Sequence, residues 1–246
     1  MRTTFAATWL AVLLALPAMG GEASSPANTS AEAAAPFAAT ETYEVRQIEG
    51  WKVLVQEDFP RLEPGLCEET LKVLDGQLHE AVRRVPGAAV EKLKQVTIWV
   101  ELDEPHHPCM AYHPSPDWLR EHAMNPDKGG CVEIADARNF LRWTIDQPTM
   151  VLHELAHAYH DRFLGGYGNP EIAAAYRRAQ EAKTYESVLH IRGRRERAYA
   201  MQNPMEYFAE GSEALFGIND FYPFVRAEFA EHDPEGYRLL LELWEK

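Results

Sequence analysis

The sequence predicts a single α+β domain, a small mixed sheet followed by a helical half. Three observations carry that prediction. Runs that alternate apolar and polar residues, or concentrate β-branched ones, fall before residue 135. Segments with apolar residues three and four positions apart dominate after it, and no internal repeat divides the chain.

The elements follow in order. Trp51-Lys-Val-Leu-Val-Gln56 alternates and is rich in β-branched residues, so it reads as a strand. Glu68 to Val85 has apolar residues at Leu71, Val73, Leu74, Leu78, Ala81, Val82 and Val85 and reads as a helix that Pro86-Gly87 ends. Val96 to Leu102 is the clearest strand, and it could border a cleft and align an extended peptide. A loop is expected from Asp103 to Gly130, with a short helix near residues 117–123, then a short strand at Cys131-Val-Glu-Ile134. His106, His107 and His113, in a Pro-rich stretch of that loop, read as surface residues near the cleft. Pro148 to Leu164 is one amphipathic helix, with Asp146 as a possible cap and Gly165-Gly166 at its end. Asn169-Pro170 starts a helix through about Ala182, residues 185–191 are ambiguous, and Asn203-Pro204 starts a helix through Phe216. Pro223 and Asp233-Pro234 open two more.

The amino-terminal layout is that of a secretory signal peptide, residues 1–20: Arg2, an apolar run from Phe5 to Leu16, and small residues up to Gly20. Residues 21–42 are Ala, Ser, Pro, Thr and Glu with one aromatic, and read as a disordered leader. The folded domain is expected over 43–246, secreted or periplasmic, with no span after the signal is removed. A formal charge of −14 disfavours nucleic acid and anionic membranes as partners and says little about which peptide or protein would be the substrate. In an oxidising compartment Cys109 and Cys131 are the expected pair, closing the loop between them, with Cys67 left over.

His153-Glu154-Leu155-Ala156-His157 is the motif that carries chemistry. On a helix, imidazoles at i and i+4 turn toward one point and form half of a zinc site. Glu154 is rotated about 100° from the first imidazole, placed to act as a base on a water rather than as a ligand. A catalytic zinc takes a third protein ligand. Position 163 is Phe, so the metzincin arrangement with its further His is excluded, and Glu171, Glu181 and Glu186 lack the setting of a thermolysin-like ligand. Asn203-Pro-Met-Glu206-Tyr-Phe-Ala-Glu210 offers two carboxylates one turn apart, one for the metal and one for a His ligand. Asn203 and Glu206 equally fit a capping box, which would occupy the Glu206 carboxylate with a backbone N–H. His160 and Asp161 read as part of a solvated polar face.

The block His-Glu-Leu-Ala-His-Ala-Tyr-His-Asp, then Tyr199, then Asn203-Pro-Met-Glu206-Tyr-Phe-Ala-Glu210 resembles the catalytic domain of anthrax lethal factor and the Pro-Pro endopeptidases over roughly residues 148 to 216. That resemblance implies a zincin-like domain of gluzincin type holding one catalytic Zn2+ by His153, His157 and Glu206. It implies Glu210 behind the metal ligands and Tyr199, seven residues before the third ligand, as the catalytic tyrosine that stabilises the oxyanion. Residues 167–198 are Arg-rich and do not align, so substrate preference does not transfer. The expected activity is hydrolysis of peptide bonds with Glu154 as general base. Its alternatives are a non-catalytic secreted zinc-binding protein and a zinc hydrolase acting on a non-peptide amide.

Overall fold

The computed structural model describes residues 37–246; the expected signal segment and nearly all of the expected leader lie outside them. In chain order the elements are β1 (Tyr43–Ile48), β2 (Trp51–Gln56), α1 (Phe59–Leu62), α2 (Pro64–Arg84), α3 (Gly87–Leu93), β3 (Ile98–Val100), β4 (Met110–His113), α4 (Pro116–Glu121) and β5 (Cys131–Ile134). The second half holds α5 (Ala137–Trp143), α6 (Met150–Phe163), α7 (Pro170–Glu181), the small strands β6 (Val188–Leu189) and β7 (Arg195–Glu196), α8 (Pro204–Phe216), α9 (Arg226–His232) and α10 (Pro234–Trp244). The architecture is α+β. No helix among the described residues is long and apolar enough to cross a membrane.

The main sheet is mixed, in the order β1-β2-β3-β5-β4, with β1 antiparallel to β2, β2, β3 and β5 parallel, and β4 antiparallel to β5. Strand alternation gives it two faces. Val53, Val55, Ile98, Val100, Val132 and Ile134 are fully buried against the helices, and α6 lies against β4 and β5 on this side. The helical half closes around α6 and α8. Trp244 of α10 stacks on Tyr159 of α6 with ring centroids 4.3 Å apart, and its indole N–H donates to Ser212 Oγ of α8 at 2.9 Å.

The opposite face of the sheet carries Trp99, Glu133 and His113 and is also buried, under the turn at residues 126–128, against which α4 packs. Charge there is neutralised locally. Lys128, 1% exposed, places its Nζ 2.6 Å from Glu101 and against Glu133, and Tyr43 donates its hydroxyl to Glu101. His113 Nε2 lies 2.6 Å from the second Glu133 oxygen. Burial opposes ionisation of Glu133, but the His113 hydrogen bond and charge, with Lys128, hold its carboxyl far down its usual range.

Several expectations are corrected. The segment assigned to a loop contains β4, an edge strand, and β3 is interior with partners on both sides, so β3 has no free edge on which to pair an extended peptide. His113 lies inside the polar layer described above, and His107 packs its ring 4.9 Å from it; burial pushes the His107 pKa down to about 4. The folded chain begins before Tyr43: residues 40–42 form a 3-10 turn, and Asn125 donates to the Ala38 carbonyl at 3.1 Å. Cys67, Cys109 and Cys131 are all free thiols. The register explains why the expected pair does not form. Met110 lies opposite Ile134 and His113 opposite Cys131, so Cys109 and Cys131 occupy opposite ends of the β4–β5 ladder, roughly 13 Å apart at strand rise, beyond the reach of a disulfide. Cys109 instead faces Met150 Sδ at 3.6 Å.

Candidate metal centre

α6 is buried on nearly every side because it runs through the middle of the molecule, and its sequence from Met150 to Tyr159 is apolar except at the motif. Its end is sharp. Gly165 and Gly166 both take positive φ, +85° and +84°, which glycine adopts without strain. The helix starts at Met150, and Asp146, read as a cap, pairs with Arg192 instead.

One turn separates His153 from His157, and both point their Nε2 atoms toward α8. There Asn203 caps the helix, its Oδ1 accepting the Glu206 N–H at 2.9 Å, and Pro204 fills the first turn. Only half of the capping box forms, because the Glu206 carboxylate turns to the imidazoles. The three atoms make a nearly equilateral triangle: His153 Nε2 to His157 Nε2 3.1 Å, His153 Nε2 to Glu206 Oε2 3.1 Å, and His157 Nε2 to Glu206 Oε2 3.2 Å. Tetrahedral zinc with bonds of about 2.0–2.1 Å requires ligand atoms roughly 3.3 Å apart, so the donor set fits the ion in type and spacing.

Electrostatics agree with that geometry. Burial penalises the Glu206 carboxylate, yet the facing His157 and His153 outweigh burial and keep it ionised well below the usual carboxyl range. Burial likewise disfavours charge on His153, but its hydrogen bonds to Glu206 and Glu213 raise its pKa well above that of a free imidazole.

The carboxylate behind the first imidazole is Glu213, whose Oε1 lies 2.7 Å from His153 Nδ1. Glu210, expected in that role, is buried one turn earlier, and its Oε2 has no hydrogen-bond partner among the described residues. Burial, with Asp220 and Glu213 close by, raises its pKa well above that of a free carboxyl. Helix geometry holds the missed signal: at 100° per residue Glu210 is rotated about 40° from Glu206, whereas Glu213, seven residues on, is only about 20° away.

Glu154 is 5% exposed and turns toward β4, where its Oε2 accepts the Tyr112 N–H at 2.8 Å. Burial raises its pKa, against the nearby imidazoles, which suits a proton acceptor and donor. This anchor is a backbone group on an unforeseen strand and left no mark in the sequence. Tyr199 lies in a 3-10 turn fixed by the buried Ala200 and Met201, with its hydroxyl 3.5 Å from Glu206 Oε1 and its ring centroid 6.5 Å from that of His153. Burial raises the phenol pKa, so it stays a hydrogen-bond donor at neutral pH.

His160 is not on a solvated face. It is fully buried between Tyr167 and Phe208, neither ring nitrogen has a partner among the described residues, and burial lowers its pKa to about 4. Asp161 accepts the Tyr112 hydroxyl at 2.7 Å, so α6 holds β4 through both Glu154 and Asp161. Glu171 pairs with Lys246 and Glu186 with Arg197 at exposed positions, and neither belongs to the triangle. Comparison of the chain with family models, with curated proteins and with solved structures finds no match.

Proposed function

We propose that this protein is a zinc-dependent endopeptidase with a zincin-like fold, similar to the lethal factor and Pro-Pro endopeptidase type, exported by the signal segment at residues 1–20. The observation that carries the reading is the meeting of two imidazoles and one carboxylate in a triangle of 3.1–3.2 Å, with a buried glutamate and a phenol beside it. His153, His157 and Glu206 would hold the ion, and Glu213 fixes the His153 ring by accepting its Nδ1–H. Bound there, zinc supplies Lewis-acid polarisation and lowers the pKa of water toward about 7.

The remaining roles belong to side chains of this chain. Glu154, steadied at one oxygen by the Tyr112 amide, takes the proton of the attacking water at the other oxygen and returns it to the leaving amine. Tyr199 donates its hydroxyl to the oxyanion developing on the scissile carbonyl. β4 is the sheet edge on the side of α6, so an extended peptide would pair along it.

The test measures zinc per purified chain and cleavage of a peptide library. Glu154→Gln should retain zinc and lose roughly 10²–10⁴ in rate, and Tyr199→Phe should lose about 10²–10³ in kcat. Equal cleavage by wild type and Glu154→Gln would remove the base. One zinc per chain with no cleaved peptide would refute the peptidase and favour a binding protein or an amidase.

A further inference from the structure

The main sheet has two edges: β4, against α6, and β1 at the far side. The turn between β1 and β2 decides which backbone groups of β1 are spare. Glu49 and Gly50 take positive φ, +50° and +93°, as in a two-residue hairpin loop, so the flanking Ile48 and Trp51 exchange hydrogen bonds. Alternation then turns the backbone groups of Arg46 and Glu44 toward Val53 and Val55 of β2, and those of Tyr43, Val45 and Gln47 outward. The Thr40 carbonyl takes the Tyr43 N–H, whereas Val45 and Gln47 have no outward backbone partner among the described residues. Exposed edges are commonly guarded by a lysine, a proline or a bulge. β1 has none of these: its register with β2 is unbroken, and Val45 is 58% exposed.

The order Glu44-Val45-Arg46 is complementary to itself. Within one chain the two charges neutralise each other, Arg46 Nη2 lying 3.0 Å from Glu44 Oε2. In an antiparallel pairing of two copies centred on Val45, Glu44 of each copy faces Arg46 of the other in non-hydrogen-bonded pairs, where Cα atoms approach to about 4.5 Å. The spare backbone groups match at the same register: the two Val45 residues exchange N–H and C=O, and each Gln47 N–H meets the Tyr43 carbonyl across the seam. Sliding one copy to the next register that keeps this backbone match sets Glu44 against Glu44 in one direction and Arg46 against Arg46 in the other, and in-register parallel pairing does both. We propose that β1 is a self-association edge that joins two copies of this chain about a twofold axis at Val45, their sheets becoming one. The seam lies at the edge remote from β4, so the inference stands apart from the peptidase reading.

The test is sedimentation equilibrium of the purified protein. A seam of one strand is smaller than the roughly 800 Å² per partner of a standard interface, so the dimer is expected in the micromolar range and loading runs to about 1 mM. Val45→Pro removes an outward N–H that β2 does not use, and should leave a monomer at every concentration with the circular dichroism of wild type. Glu44→Arg and Arg46→Glu, at solvent-accessible positions, each set like charges across the seam and should weaken the dimer at least about tenfold. An equimolar mixture of those two variants should associate again as a heterodimer, because every charged pair across its seam is then Arg against Glu. A monomer throughout, a dimer that survives Val45→Pro, or a mixture that stays monomeric would overturn the proposal. Val45 and Gln47 amides protected from hydrogen exchange in a monomer would overturn it too and assign the edge to another segment of the same chain.

Discussion

Replacing Glu213 by Gln, beside the matched Glu210→Gln, tests how the proposed metal centre would be supported. Glu213 is 3% exposed and its Oε1 lies 2.7 Å from His153 Nδ1, so the imidazole owes its orientation and much of its basicity to this carboxylate. The amide keeps the volume and one carbonyl acceptor but not the charge. Loss of such a partner typically costs 10- to 100-fold in metal affinity, about 1.4–2.7 kcal/mol. Glu210 makes no such bond, and burial beside Asp220 and Glu213 already favours its neutral form, so its amide should change affinity by less than about threefold. Competition with a chromophoric chelator at pH 7.5 gives both constants on chains with equal unfolding midpoints. A greater loss in Glu210→Gln than in Glu213→Gln would refute the reasoning and reverse the two roles.

Two further outcomes rest on buried charge. Lys128→Met strands Glu101 and Glu133 without their shared cation and should cost about 3–5 kcal/mol in urea unfolding, part of it regained on adding Glu101→Gln; a loss under about 1 kcal/mol would show that the layer is not held by this ion network. His160 takes up a proton near pH 6.5 when unfolded but only near pH 4 when folded, so the unfolded state binds more protons between those values. Stability is therefore full above pH 6.5 and falls as pH drops toward 4, by about 2 kcal/mol from this residue between pH 7 and pH 5. His160→Leu should be at least as stable at pH 7 and should lose about that much less at pH 5; identical pH slopes for the two proteins would count against it.

The motif helix was legible because HExxH, the flanking apolar periodicity and the double glycine all point to one element, and α8 was legible from Asn203-Pro204 and its apolar run. Strand β4 was not: four residues between Pro108 and Pro114 carry too little pattern to outweigh the loop signals around them, and the sheet, not local propensity, makes them extended. With β4 went the Tyr112 amide as the anchor of Glu154, since a backbone group has no residue-type signature. Glu213 lies on the same helix face as Glu206, seven residues on, and the i+4 spacing that singled out Glu210 does not reach it. Cys109 and Cys131 suggested a bridge because they bracket a long segment, while strand register, invisible before the partner strand was known, set them at opposite ends.

Neighbouring residues of β4 answer to different layers: Tyr112 binds Glu154 and Asp161 on α6, and His113 binds Glu133 beneath the outer cover. A slip of one position would exchange the phenol with the imidazole and break both attachments at once, so the strand's alignment is dictated from above and below rather than by the length of what precedes it. A change of length just before that strand would therefore leave Glu154 on its Tyr112 anchor.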